Sequence, residues 1–230
     1  MIIKHHLSDI TLGTFTAGSL KESISLVAAS HISLCPVCRE RLERLEELGG
    51  AQLQSSEPEI MSQDALQKVM TKLGEQELRE ETDPGNVSKQ LSSNGHSSQG
   101  GSPKIPQPLQ AYVPDRLEDV EWKSLAPGIK YFAISAFQTA GGTLSMLNVA
   151  PGVSIPEHGH QGVELTQVLK GSFRDDVGFF SVGDIADLDD DINHQPIVDS
   201  NESCVCLIAS EAPLKFTGFA PRLIQYFSGM

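Results

Sequence analysis

The sequence predicts a multidomain chain, a small all-α helical bundle followed by an all-β antiparallel sandwich or barrel, and three observations predict it. In residues 1–80 apolar side chains recur at helical spacing, and residues 81–108 hold almost nothing apolar. From 109 to 230 the chain breaks into short β-rich runs punctuated by Gly, Pro and Asp. A length of 230 residues allows one large or two modest domains, and the change of texture favours two.

The formal net charge is −13, with 8 basic and 12 acidic residues in 1–80 and 7 and 16 in 109–230. Both ends therefore repel phosphate, which argues against direct nucleic-acid binding and suits a partner with a basic surface. Four cysteines, two of them in a Cys-x2-Cys pair, describe a reducing compartment better than a disulfide-stapled secreted domain. The opening Met-Ile-Ile-Lys-His-His lacks the apolar core of a secretory signal, and no apolar run approaches the ~20 residues of a membrane span. A soluble, cytoplasmic protein with no membrane association is expected.

Taken in order, Leu7, Ile10, Phe15 and Ala17 after a Ser8 cap predict a first helix over residues 7–18. Ser19 to Glu22 has the Ser-x-x-Glu form of a capping box, in which the hydroxyl and the carboxylate each satisfy an unpaired backbone N–H, and opens a second helix. Ile24, Val27, Ala28 and His31 follow at i, i+3, i+4 and i+7, which puts His31 on the apolar stripe. Pro36 ends that helix and begins a third, expected to stop at Gly49-Gly50. A fourth, over roughly residues 62–78, carries Leu66, Val69, Met70 and Leu73 on one face.

His6, His31, Cys35 and Cys38 are spaced His-x24-His-x3-Cys-x2-Cys, two imidazoles and two thiols, the set a closed tetrahedral zinc site requires. Four N/S ligands leave no open position for substrate, so the site is structural rather than catalytic. His5, next in the chain, is the rival for the first ligand. A bundle of about 80 residues buries little core, and zinc would substitute for what the helices lack.

Residues 81–108 turn to Ser, Gly, Asn, Gln and Pro and predict a flexible linker, in which His96 is one more polar residue. The expected strands beyond it run over residues 130–137, 143–150, 164–173, 179–188 and 202–210. Among them lies Gly152-x5-His158-x-His160-x3-Glu164-x6-Gly171, with His194 about 30 residues beyond Glu164. In a strand His158 and His160 point to the same side, so with Glu164 and His194 they can converge on one metal inside a barrel. The alternative is four scattered polar residues on loops. In Cys204-Val-Cys206 alternation sends both thiols to one face with Ile208, and Val205 and Leu207 to the other. The pair reads as two small buried hydrophobes or as redox modulators of a response.

The spacing from Gly152 to Gly171 resembles the first cupin motif at every defining position, and so implies a jelly-roll barrel with a 3-His-1-Glu metal site. Of the second motif Gly183 and His194 are present, while Asp189, Asp191 and Val198 stand where the family has Pro, Gly and Asn, a departure that bears on enzymatic chemistry more than on metal binding. His6, His31, Cys35 and Cys38 resemble the signature of zinc-binding anti-sigma factors. The order of zinc domain (1–80), linker (81–108) and cupin (109–230) resembles the ChrR-type anti-sigma factors across nearly the whole chain.

That resemblance implies a stress-responsive negative regulator of transcription that is not an enzyme. The helical domain would bind a group IV (extracytoplasmic-function) sigma factor as a 1:1 heterodimer. It would release the sigma factor on an oxidative signal such as singlet oxygen, sensed through a cupin that holds zinc or another divalent transition metal. The other class is a cupin metalloenzyme, dioxygenase-like, with an accessory zinc domain.

Overall fold

The structure, a computed structural model, describes residues 2–82, 105–137, 142–160, 162–189, 192–211 and 215–216. Most of the expected linker, His96 and Asp191 lie outside the described residues.

Four helices come first. The first, α1 (Asp9–Thr16), is capped by Ser8, whose hydroxyl accepts from the Thr11 N–H at 3.1 Å. It ends on Gly18 in the left-handed region, with the Ser19 N–H returning to the Thr14 carbonyl at 3.0 Å. Ser19 is thus spent on closing α1, and the expected capping box does not form. Instead α2 (Glu22–Leu34) starts from Lys21 with no side-chain cap. Its stripe is as expected: Ile24, Val27, Ala28 and His31 are all fully buried.

Cys35 breaks away in extended conformation, and Pro36 opens α3 (Pro36–Ser55). The expected stop at Gly49-Gly50 does not occur, because neither glycine adopts the left-handed conformation that terminates a helix. Glycine inside a helix costs only about 1 kcal/mol relative to alanine, and α3 runs on through both. The last helix is α4 (Ala65–Thr82), whose Leu66, Val69, Met70 and Leu73 are 73%, 53%, 56% and 52% exposed.

Short 3-10 turns follow at Gln107–Leu109, Leu117–Asp119 and Ser135–Phe137, the last cutting short the strand expected over 130–137, together with the strands β1 (Lys123–Ala126), β2 (Ile129–Ala133), β3 (Thr143–Val149), β4 (His158–Gly159), β5 (Glu164–Lys170), β6 (Ser172–Arg174), β7 (Phe179–Ser181), β8 (Ile185–Leu188), β9 (Asn193–His194), β10 (Ile197–Val198), β11 (Cys204–Ser210) and β12 (Lys215–Phe216). The expected run over 164–173 is cut at Gly171, where φ is +70° and a Cβ would meet the Ser203 carbonyl at 2.7 Å. The run over 179–188 is cut by a turn through Gly183, at φ +92°.

An antiparallel six-stranded sheet has the order β1-β2-β3-β11-β5-β8, and two three-stranded sheets have the orders β10-β6-β7 and β12-β4-β9. Alternation along β11 divides the core. Val205, Leu207 and Ala209 join Leu144, Met146, Leu165 and Leu169 in one cluster with Ile24, Val27 and Ala28 of α2. Cys204 and Cys206 face the other way, among Leu147, Val149, Val168, Phe173 and Phe180. The six-stranded sheet therefore has α2 on its outer face and the other cluster, inside the barrel, on its inner face.

By its internal packing the chain divides into Met1–Gly49 with Gly101–Met230, and Gly50–Gly100. The first helices thus belong to the same unit as the barrel. Each fully buried aliphatic side chain of α2 stabilises that packing by roughly 1.5–3 kcal/mol.

Candidate metal centres

The N-terminal centre forms where four stretches of chain meet. The end of α2 supplies His31, the extended break supplies Cys35, the first turn of α3 supplies Cys38, and the stretch before α1 supplies His6. The four ligand atoms lie within 4.8 Å of one another. Cys35 Sγ is 3.2 Å from His6 Nδ1, and Cys38 Sγ is 3.4 Å from His31 Nε2. Bond lengths of about 2.3 Å to sulfur and 2.0 Å to nitrogen give a tetrahedron with S···N edges near ~3.5 Å, so the donor set fits a tetrahedral metal ion. The rival His5 is directed elsewhere, with Nε2 2.9 Å from the Phe179 carbonyl.

Burial governs the protonation of this centre without a metal. It pushes His31 down to about 4, against the pull of the Gly183 carbonyl, and pushes the Cys38 thiol up to about 11. Both groups are then neutral at pH 7, and metal binding has to displace the thiol protons. His31 Nδ1, turned away from the cluster, lies 3.0 Å from the Gly183 carbonyl, which accepts its proton and leaves Nε2 free as a ligand.

The barrel centre gathers His158, His160, Glu164 and His194, all buried, again with ligand atoms within 4.8 Å. The register explains the meeting: His158 on β4 pairs directly with His194 on β9, and their Nε2 atoms are 3.1 Å apart. Glu164 begins β5, and its Oε2 lies 3.1 Å from His160 Nδ1. His160 Nε2 is buried with no hydrogen-bond partner among the described residues, a nitrogen left over for a cation. Burial alone would raise Glu164, but the neighbouring imidazoles, that of His160 first, hold its carboxyl below the usual range. His158 is lowered by burial and donates from Nδ1 to the Pro156 carbonyl at 2.9 Å.

Beside this centre is a cavity whose walls include Leu147, Val149, Phe173, Ile208 and both thiols, Cys204 and Cys206. The two sulfurs are 3.6 Å apart and not bridged. The hydrogen bond between the two sulfurs, with burial, holds the Cys206 thiol well above its usual range, which disfavours the reactive thiolate.

Two functional-site residues escape sequence reasoning. Asp175 accepts from His194 Nδ1 at 2.7 Å, so it orients a ligand of the barrel centre. Asp184, fully buried, accepts from the backbone N–H groups of Lys4 and His5 at 2.6 and 3.0 Å, just before His6. Nothing in the sequence separates these two from other aspartates in turns.

A family described as "ChrR Cupin-like domain" matches residues 113–213. The anti-sigma-E factor ChrR of Cereibacter sphaeroides is 38% identical over 228 residues, 99% of either chain. In the solved structures, the crystal structure of Rhodobacter sphaeroides SigE in complex with the anti-sigma ChrR covers 91% of this chain and 99% of that one, at 35% identity and a TM-score of 0.71. With a match of this extent taking in both ligand groups, the chain belongs to the ChrR family of cupin-bearing anti-sigma factors.

Proposed function

We propose that this protein is a cytoplasmic anti-sigma factor that binds a group IV sigma factor one to one, blocks its use by RNA polymerase, and releases it on an oxidative signal received in the barrel. The observation that carries the reading is the likeness, over the whole length, to a protein named an anti-sigma factor. The face of α4 supports it: Leu66, Val69, Met70 and Leu73 are more than half exposed, an apolar stripe that calls for a partner. The sigma-binding part is assigned to the helices of the first 80 residues.

His6, His31, Cys35 and Cys38 hold zinc, which supplies a closed crosslink that builds the fold and no reaction. His158, His160, Glu164 and His194 hold zinc or another divalent transition metal, since imidazole and carboxylate donors suit several. Cys204 and Cys206 are then modulators at the cavity wall, slow to react until the barrel loosens around them. The protein acts as a regulator rather than an enzyme.

The test is transcription from a sigma-dependent promoter in a purified system. Added protein should abolish it in step with one equivalent per sigma factor, and unchanged transcription sinks the reading. The apolar cavity beside His158, Glu164 and His194 favours one second reading, a cupin metalloenzyme acting on a small apolar substrate. Metal-dependent turnover of such a compound by the pure chain would establish it.

A further inference from the structure

One stretch of barrel backbone touches ligands of both centres from outside. At its start, Asp175 Oδ2 accepts from His194 Nδ1 at 2.7 Å. The other oxygen of the same carboxylate accepts the N–H groups of Val177 and Gly178 at 2.9 and 3.0 Å, and the Asp175 N–H returns to the Gly178 carbonyl at 3.0 Å. The turn between β6 and β7 is therefore closed on the group that orients His194.

The next residue, Phe179, gives its carbonyl to His5 Nε2 at 2.9 Å, and the ring of Phe180 lies 4.3 Å from the His5 ring, centroid to centroid. At the far end of the stretch the Gly183 carbonyl accepts from His31 Nδ1 at 3.0 Å. Asp184 divides its carboxylate. Oδ2 takes the N–H and hydroxyl of Ser181 at 2.8 and 2.9 Å, and Oδ1 takes the N–H groups of Lys4 and His5. The backbone leading into His6 and the ring of His31 are thus both held by residues 183–184.

Between these ends, β7 is three residues long and lies at the edge of its sheet, paired among the described residues only with β6. Phe180 is buried in the barrel core, and the Gly183 N–H and the Asp184 carbonyl bond to Val168 of β5 at 2.9 and 3.0 Å, so the stretch is held along its length and a displacement at Asp175 is passed on to Gly183 and Asp184 rather than absorbed.

We propose that the segment Asp175–Asp184 couples the two centres, so that metal occupancy of the barrel tightens the N-terminal centre and loss of the barrel metal loosens it. With His194 fixed as a ligand, its Nδ1–H holds Asp175 and the turn in the position seen here. Without that constraint the His194 ring and the Asp175 carboxylate are free to reorient, and Gly183 and Asp184 lose their grip on His31 and the residues before His6. The inference rests on the reading of both groups as metal centres and adds the path by which a signal in the barrel reaches the helices that bind sigma.

The experiment uses the full chain with no sigma factor, so failure of the sigma reading leaves it intact. Cobalt(II) in the N-terminal centre gives a thiolate charge-transfer band that a 3-His-1-Glu site lacks, and its decay in excess EDTA reads the release rate of that centre alone. The rate is compared between chains with the barrel loaded and chains with it emptied by His160→Ala, in the wild-type background and with Asp175→Asn or Asp184→Asn. Elemental analysis confirms the loading first.

In the wild type, emptying the barrel should speed release about tenfold, within the usual range of coupling between sites. In either aspartate variant the loaded and empty chains should release at equal rates. A merely structural role for Asp175 or Asp184 would speed both forms alike and keep the tenfold ratio, which overturns the proposal. Equal rates for loaded and empty wild-type chains overturn it as well. A chain whose barrel takes up no metal overturns both the proposal and the reading beneath it.

Discussion

At the N-terminal centre Cys35 and Cys38 lie within one helical turn of each other, His31 ends a neighbouring helix, and His6 sits on a stretch with no secondary structure of its own. At the barrel centre, by contrast, His158, Glu164 and His194 lie on strands whose backbone bonds are made by the sheets. The first set sits on segments held by the packing of α2 against the sheet and by the Asp184 carboxylate on the backbone before His6. The second set is positioned by a scaffold with its own core. The two groups therefore differ in what positions them: packing between helices and sheet in one case, strand register in the other.

The largest effect that would test this contrast is loss of the N-terminal ion. On the reading of this group as a zinc site, Cys35→Ser or Cys38→Ser should forfeit metal-binding free energy on the order of 10 kcal/mol, which loosens the His6 stretch and the α2–α3 junction while α2 keeps its packing on the sheet. Helical circular dichroism should fall and sigma binding vanish while the sheet signal of the barrel remains. A variant that keeps its helices without metal would put the two centres on the same footing.

Acid sharpens the contrast in the metal-free chain. His31 in the folded state takes a proton only near about 4, whereas an unfolded histidine does so at the ordinary value of 6.5. Below 6.5 the unfolded state thus binds more protons, and stability falls as pH drops from 6.5 towards 4, by about 3 kcal/mol in all. His158, also lowered by burial, pulls the same way. Glu164 and Asp175 are held below their usual values, so their stabilisation is present above the ordinary carboxylate range and is lost only at lower pH. Urea midpoints measured at successive pH values should be flat above 6.5 and decline below it.

Next in size is the face of α4. Leu66→Asp or Leu73→Asp should weaken sigma binding by about 2–3 kcal/mol, as for an anchor at the middle of an interface. Metal content at both centres should not change. Unaltered affinity in both variants would move the docking surface off this helix.

The smallest effect on binding is expected from the barrel. Glu164→Gln or His158→Ala should remove its metal and blunt release by oxidant, yet change sigma affinity in unstressed conditions by no more than about 1 kcal/mol. A large loss of affinity would mean that the barrel clamps as well as senses.

The sequence by itself picked out the candidate groups where their members are neighbours in the chain: Cys35 and Cys38 across a helix start, and His158 and His160 two apart before Glu164. It also determined the faces of α2 and β11, since helical and strand periodicities are properties of neighbours in the chain. Only the tertiary structure decided that α2 lies on the six-stranded sheet and that His6 rather than His5 joins the cluster. It alone placed Asp175 and Asp184 behind them. Those decisions depend on pairs such as His31 and Gly183, 152 positions apart. No local pattern in the chain encodes a meeting at that distance, and an aspartate in a turn looks the same whether it faces solvent or the back of a ligand.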